Sequence, residues 1–94
     1  METWFRANIA GDAETMWQTE SADYHDRFTS GHDAYVRAYA HTPNSHPPTI
    51  RFVASIPLAG TERELFYDFD FGTRGHTVLA VYVDAQGRFD GPAI

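Results

Sequence analysis

The sequence predicts an α+β protein rich in β-structure: an antiparallel meander sheet of about five to six strands with one helix packed on a face. Two observations lead to this prediction. Apolar and polar residues alternate with period two over several short segments, which is typical of strands with one buried face. In the C-terminal half these segments are joined by short turns, which favour antiparallel neighbours. An all-β sandwich or barrel is the alternative interpretation.

Residues 3–9 and 14–20 favour the two strands of a β-hairpin. Apolar residues alternate with polar ones in the first segment, and the second is rich in β-favouring Thr and Trp. The sequence Ala-Gly-Asp-Ala between them has the composition of a turn. Trp4 and Trp17 would then face each other across the hairpin, where they either stabilise it or form a stacking platform for a sugar or a protein partner.

The middle of the chain has weaker patterns. Residues 21–31 are polar with isolated aromatic residues, which permits either a short helix capped by Ser21 or a loop. Residues 32–41 favour a helix because of their alanine content and a capping-like start, although their alternation also fits a strand. Three prolines within residues 42–48 exclude a helix or a sheet interior, so we predict an extended loop there.

The C-terminal half predicts four consecutive strands, over residues 49–57, 63–71, 76–83 and 88–90. The first strand is expected to have one apolar face, formed by Ile50, Phe52, Ala54 and Ile56. The third has apolar residues on both faces, so we expect it to be central in the sheet. Each strand ends near Pro, Gly or Asp, which are common in turns.

The strand over residues 63–71 carries the candidate binding residues. One side is entirely apolar and is expected to face the core: Leu65, Tyr67, Phe69 and Phe71. The other side has one aromatic ring among three carboxylates: Glu64, Phe66, Asp68 and Asp70. If a helix covers this second side, the phenyl ring is part of the core. If the side is open, the four residues form an acidic and aromatic patch for a partner.

Composition narrows the possible functions. Ninety-four residues make a single small globular domain, residues 1–94. The chain has no cysteine, which excludes disulfides, thiolate metal sites and a cysteine nucleophile. Its net charge is −6, and its seven basic residues, all Arg, are scattered, so we expect no direct binding to nucleic acid. Neither a signal-like segment nor an apolar run of membrane-spanning length is present, so we expect no membrane association and a cytoplasmic location.

No catalytic, cofactor or metal motif is recognisable. The five histidines lack the close spacing of metal ligands, so we assign no metal site and no cofactor. Asp68 and Asp70 are spaced like paired acids or calcium ligands, but nothing in the sequence completes either site. The chain also lacks a Gly-x-Ser-x-Gly motif and a phosphate-binding glycine loop. We therefore assign no catalytic residue, and an enzyme is the less favoured class.

The sequence predicts a non-enzymatic acidic protein-interaction module of the inhibitor, immunity or anti-defence type. Its target would be a protein, best suited if it has a basic groove. The contact residues would be Glu64, Phe66, Asp68, Asp70 and Trp17. A small-ligand binding domain with an aromatic pocket inside a half-barrel is one alternative. A small hydrolase or isomerase with Asp68, Asp70 and His76 as acid and base is another, and a homodimer is compatible with the apolar faces of residues 76–83.

Overall fold

The computed structural model describes residues 1–93 and has two layers. The helices span Glu2–Ala10 (α1), Ala13–Gln18 (α2), Ala22–His25 (α3) and Gly31–Tyr39 (α4). The strands span Thr49–Pro57 (β1), Arg63–Asp70 (β2), His76–Val83 (β3) and Phe89–Pro92 (β4), with a 3-10 turn over Gly72–Arg74. The sheet order is β1-β2-β3-β4, and all neighbours are antiparallel.

The predicted α+β class and antiparallel meander are therefore confirmed, and β3 is central as expected. Two details of the fold prediction are wrong. Within residues 1–93 the sheet has four strands rather than five or six, and four helices rather than one precede it. The sheet is also open, so the barrel alternative is wrong.

The hairpin predicted over residues 3–9 and 14–20 is wrong, because these segments form α1 and α2. Gly11, with φ of 75°, ends α1 in the left-handed conformation that is common after a helix. Asp12 then begins α2: its carboxylate accepts hydrogen bonds from the Thr15 backbone N–H at 3.1 Å and from the Thr15 hydroxyl at 2.6 Å. The residues that suggested a turn between strands thus connect two helices.

The sequence pattern of α1 resembles that of a strand because the helix is buried on two sides. Phe5 packs edge-to-face against Tyr67 and Phe69 of the sheet, with ring centroids 5.0 and 4.9 Å apart. Ala7, two residues later, is buried in a second cluster together with residues of α2 and α4. A helix that is buried on two sides loses its single apolar stripe, and its pattern can then alternate like a strand.

The middle of the chain follows the predictions. Ser21 caps α3, and its hydroxyl accepts a hydrogen bond from the Tyr24 backbone N–H at 3.0 Å. The helix predicted over 32–41 is α4, although Ser30 makes no side-chain capping bond. Residues 40–48 contain neither helix nor strand, in agreement with the prediction from their prolines.

Strand β1 contains a β-bulge that the sequence did not reveal. Phe52 lies opposite Tyr67, whereas Ala54 lies opposite Phe66, the preceding residue of β2. Val53 is therefore an extra residue in β1. Because directly opposed residues share a face, the bulge moves the apolar residues of the second half of β1 to the other side of the sheet. The single apolar face predicted for this strand is wrong.

The main core lies between the helices and one face of the sheet. Its buried members are Phe5, Tyr67, Phe69, Val81, Val83 and Phe89. Leu65 and Phe71 also pack against this cluster, so the predicted core side of β2 is confirmed. Phe5 of α1 is a member of this cluster, and Trp4 and Tyr24 pack against it, so the helices cover this face of the sheet.

We call the opposite side of the sheet the open face. The strand registers place the following side chains on it: Thr49, Arg51, Ala54, Ile56, Glu64, Phe66, Asp68, Asp70, His76, Val78, Ala80 and Tyr82.

Candidate binding surface on the open face of the sheet

The open face has a charged half and a mainly apolar half, arranged in rows across the three long strands. The charged half consists of one row with Thr49, Asp70 and His76 and a second with Arg51, Asp68 and Val78. The other half consists of the rows Ala54, Phe66, Ala80 and Ile56, Glu64, Tyr82. Four of the five predicted contact residues are therefore brought together on one surface: Glu64, Phe66, Asp68 and Asp70.

Asp68 is the centre of the charged half. Its carboxylate lies 3.0 Å from Nδ1 of His76 and 3.8 Å from the guanidinium of Arg51. The other ring nitrogen of His76 lies 3.7 Å from Asp70. Asp68 is buried although it points away from the core, because these neighbours surround it. Its hydrogen bond to His76, assisted by the charges of Asp68 and Asp70, raises the pKa of His76.

Phe66 lies at the centre of the apolar half. It is half-buried between two small residues, Ala54 and Ala80, which oppose it on either side. Ile56 and Val78 lie in the adjoining rows and are 44% and 50% exposed. Phe66 is thus a member of an accessible apolar strip and no part of the main core.

Trp17 is not part of this surface. It lies on α2 in the helical layer, where its indole stacks on the ring of His25 at 3.7 Å and meets the edge of Tyr35 at 5.0 Å. The predicted pairing of Trp4 with Trp17 across a hairpin is wrong, because Trp4 stacks on Phe89 with ring centroids 4.0 Å apart.

The structure brings Asp68, Asp70 and His76 together, as the hydrolase alternative requires. A catalytic acid and base also need a concave site that holds the substrate beside them. Five surface depressions have volumes from about 220 to about 400 Å³, and none is lined by any of these three residues. Within residues 1–93 no group of three or more His, Asp and Glu side chains is placed to hold a metal ion.

The small-ligand alternative predicted an aromatic pocket within a half-barrel. An aromatic depression of about 330 Å³ does occur, but it lies in the helical layer beside Phe28, Tyr35 and Tyr39. In the described part of the chain the open sheet encloses no such pocket, because its core side is filled by the side chains of the main cluster.

Glu20 is the notable residue that sequence reasoning missed. It is only 2% exposed, and its Oε2 accepts hydrogen bonds from the Trp4 indole N–H at 2.9 Å and from the Tyr35 hydroxyl. Its Oε1 makes no hydrogen bond to any described residue and lies 3.7 Å from Nε2 of His25. Burial raises the pKa of Glu20. Through these two hydrogen bonds Glu20 joins α1 to α4.

No helix within residues 1–93 combines the length and the apolar character that crossing a bilayer requires. Comparison with known proteins found no matching family model, no matching curated protein and no matching solved structure.

Proposed function

We propose that this protein is a non-enzymatic interaction module that binds a protein partner through its open face. The observation that supports the proposal is the accessible apolar strip around Phe66, bordered by the acids of β2, on the side of the sheet that faces away from the helices. Scattered apolar residues are normal on a protein surface, whereas a contiguous group bordered by polar residues commonly marks a binding site.

The chemistry of the open face favours a basic partner. Among the described residues, no cation lies within ion-pair distance of Glu64, which stands in the apolar half beside Ile56. With the net charge of −6, such acids accelerate encounter with a basic surface, while the apolar strip supplies contact area. Asp68 is already held by Arg51 and His76, so its contribution is to fix the shape of the surface.

The proposed contact thus consists of Glu64, Phe66 and Asp70, supported by Asp68. Trp17 lies in the other layer, so a partner flat against the open face would not reach it. This narrows the predicted set of contact residues to those that one surface can present together.

Charge reversal at matched positions tests the proposal. The immobilised protein is used to capture partners from its native source, and the captured proteins are identified by mass spectrometry. Glu64→Lys and Asp26→Lys change the net charge equally, but Asp26 is an exposed residue of the helical layer. We expect the Glu64→Lys variant to lose the partner and the Asp26→Lys variant to retain it, with circular dichroism showing that both are folded.

Two results would contradict the proposal. One is that no partner is captured by the unaltered protein. The other is that both variants bind as well as the unaltered protein, or lose the partner equally, because the open face would then have no specific role. Binding that weakens with added salt in the unaltered protein would support the electrostatic part of the argument.

A further inference from the structure

The two edges of the sheet differ in what covers them. At β4, the Phe89 N–H donates to the Thr19 carbonyl at 2.9 Å, and the Phe89 carbonyl accepts from the Ser21 N–H at 2.8 Å. At β1, no backbone hydrogen bond joins Thr49–Pro57 to any described residue outside β2. Alternate residues of β1 therefore direct unpaired N–H and C=O groups outward, which is the arrangement that accepts another strand.

The side chains of β1 give its outer edge little protection by charge. Exposed edge strands are commonly guarded by charged residues, which disfavour pairing with another chain. Here Phe52 and Val53 are each 50% exposed. The single charged residue of β1, Arg51, is directed to Asp68 on the open face. The bulge at Val53 interrupts the pairing of β1 with β2, on the inner side of the strand.

The distribution of charge favours a second copy of this chain as the occupant of the edge. The chain has 13 acidic residues, but none lies between Asp33 and Glu62. No carboxylate of β1 itself would therefore repel a second copy of this acidic molecule at the edge. A strongly acidic or strongly basic peptide would find few opposite charges on β1, whereas another β1 offers matching apolar side chains.

We propose that β1 pairs antiparallel with β1 of a second copy, so that two four-stranded sheets form one continuous sheet. The two copies are related by a twofold axis close to Phe52, and directly opposed Cα atoms across such a pair are about 4.5–5.5 Å apart. Each Phe52 ring, whose centroid is 5.7 Å from that of Tyr67, then packs beside its counterpart in the other copy. The inference is independent of the proposed function, because it concerns the edge of the sheet.

Matched substitutions distinguish a dimer that forms through the β1 edge from one that forms through the open face. Val53 and Val78 are both 50% exposed, but Val53 lies on the edge strand and Val78 on the central strand β3. Sedimentation equilibrium over a concentration series should show a dimer for the unaltered protein and for Val78→Lys. Val53→Lys should be monomeric over the same range, because a lysine on the edge disfavours strand pairing.

The absence of cysteine permits a second test that does not depend on weakening the dimer. A residue close to the twofold axis lies within the Cα separation of about 4.4–6.8 Å that a disulfide spans. Three variants are made, each with a single cysteine at residue 51, 52 or 53. Under mild oxidation at least one of them should form a covalent dimer. Val78→Cys should give none, because residue 78 lies two strands away from the edge.

The proposal is overturned if the unaltered protein is monomeric at every concentration. It is also overturned if Val53→Lys remains dimeric, or if oxidation cross-links Val78→Cys but none of the edge variants. A dimer that Val78→Lys dissociates and Val53→Lys leaves intact would place the contact on the open face.

Discussion

The backbone of Gly11 lies directly against the backbone of His41: a β-carbon at Gly11 would be 1.8 Å from the carbonyl oxygen of His41. Neighbouring bonds hold the two segments together. The Asn44 N–H donates to the Ile9 carbonyl at 3.1 Å, and Nε2 of His41 lies 2.7 Å from the Asn8 carbonyl. The end of α1 is thereby attached to the chain that follows α4.

Gly11→Ala should destabilise the protein severely. The added carbon collides with backbone rather than with a flexible side chain, and a φ of 75° is also strained for alanine. Gly60 is the matched control, since its φ is 77° but no described residue would lie within 4 Å of a β-carbon there. In urea unfolding we expect a loss of about 1 kcal/mol for Gly60→Ala and of more than about 3 kcal/mol for Gly11→Ala. Equal losses would show that the close approach carries no cost.

Ser21→Ala should remove a helix cap and a tertiary contact together. The Ser21 hydroxyl accepts the Tyr24 N–H and donates to the carboxylate of Asp90 in β4. We expect the free energy of unfolding to fall by about 1–2 kcal/mol. Ser30→Ala is the control, because Ser30 precedes α4 without a side-chain capping bond and should cost close to nothing. A larger loss for Ser30→Ala than for Ser21→Ala would contradict this interpretation of the caps.

Glu20→Gln should change how stability depends on pH. Burial raises the pKa of Glu20 above its ordinary value of 4.5, so the folded state binds a proton more tightly than the unfolded state. This group therefore contributes most to stability below pH 4.5, and the contribution is lost as the pH rises through the raised pKa. The neutral amide should remove that loss, so Glu20→Gln should equal or exceed the unaltered protein in stability at a pH of about 7.

This expectation is checked by measuring the free energy of unfolding of both proteins in urea, from a pH of about 4 upward. The difference between the two free energies should change with pH. Glu20→Ala is the control, because it leaves the donors of Trp4 and Tyr35 without an acceptor in a buried place. It should be less stable than Glu20→Gln by about 2–4 kcal/mol at every pH. A difference between Glu20→Gln and the unaltered protein that does not vary with pH would rule out titration of Glu20 as the cause.

Asp68→Asn should lower the pKa of His76. The hydrogen bond that His76 donates to Asp68 is the largest cause of the raised pKa, and the charge of Asp70 is a smaller one. Protonated His76 therefore stabilises the fold below pH 6.5, the ordinary value for histidine, and this stabilisation is lost as the pH rises through the raised pKa. Nuclear magnetic resonance titration of the His76 ring should show a large decrease for Asp68→Asn and a smaller one for Asp70→Asn. The reverse order would contradict the geometry.

The sheet was largely predictable from the sequence, for a physical reason. In β2 each side of the strand meets one environment, so Tyr67 and Phe69 alternate cleanly with Asp68 and Asp70. Short turns then leave antiparallel pairing as the natural arrangement. The bulge at Val53 could not be predicted, because Ile50, Phe52, Ala54 and Ile56 recur at every second position as in a regular strand. Only their partners in β2 reveal the extra residue.

The helical half was harder to predict because α1 is buried both against the sheet and against other helices. Phe5 faces the sheet and Ala7 faces the other helices, and these tertiary contacts overrode the local pattern. A signal for the helix boundary was nevertheless present. Gly11 followed by Asp12, with Thr15 three residues later, is the usual sequence of a helix end and a helix start.

The candidate surface was predicted in part. Its four residues on β2 follow from alternation, but the cluster of Arg51 and His76 around Asp68 depends on the strand registers, which the sequence did not specify. Glu20 could not be identified for the same reason: its partners Trp4 and Tyr35 come from helices whose packing the local sequence does not define.

The attachment of the segment 19–21 to β4 has a consequence for the order in which the protein folds. The bond from Ser21 to Phe89 spans most of the chain, and Glu20 of the same short segment completes the bonding of Trp4 and Tyr35. During synthesis the helical half emerges first, yet it receives this support only after β4 has left the ribosome. The N-terminal helices are therefore expected to stay loosely packed on the nascent chain until then, and to become rigid together with the sheet in one late cooperative step.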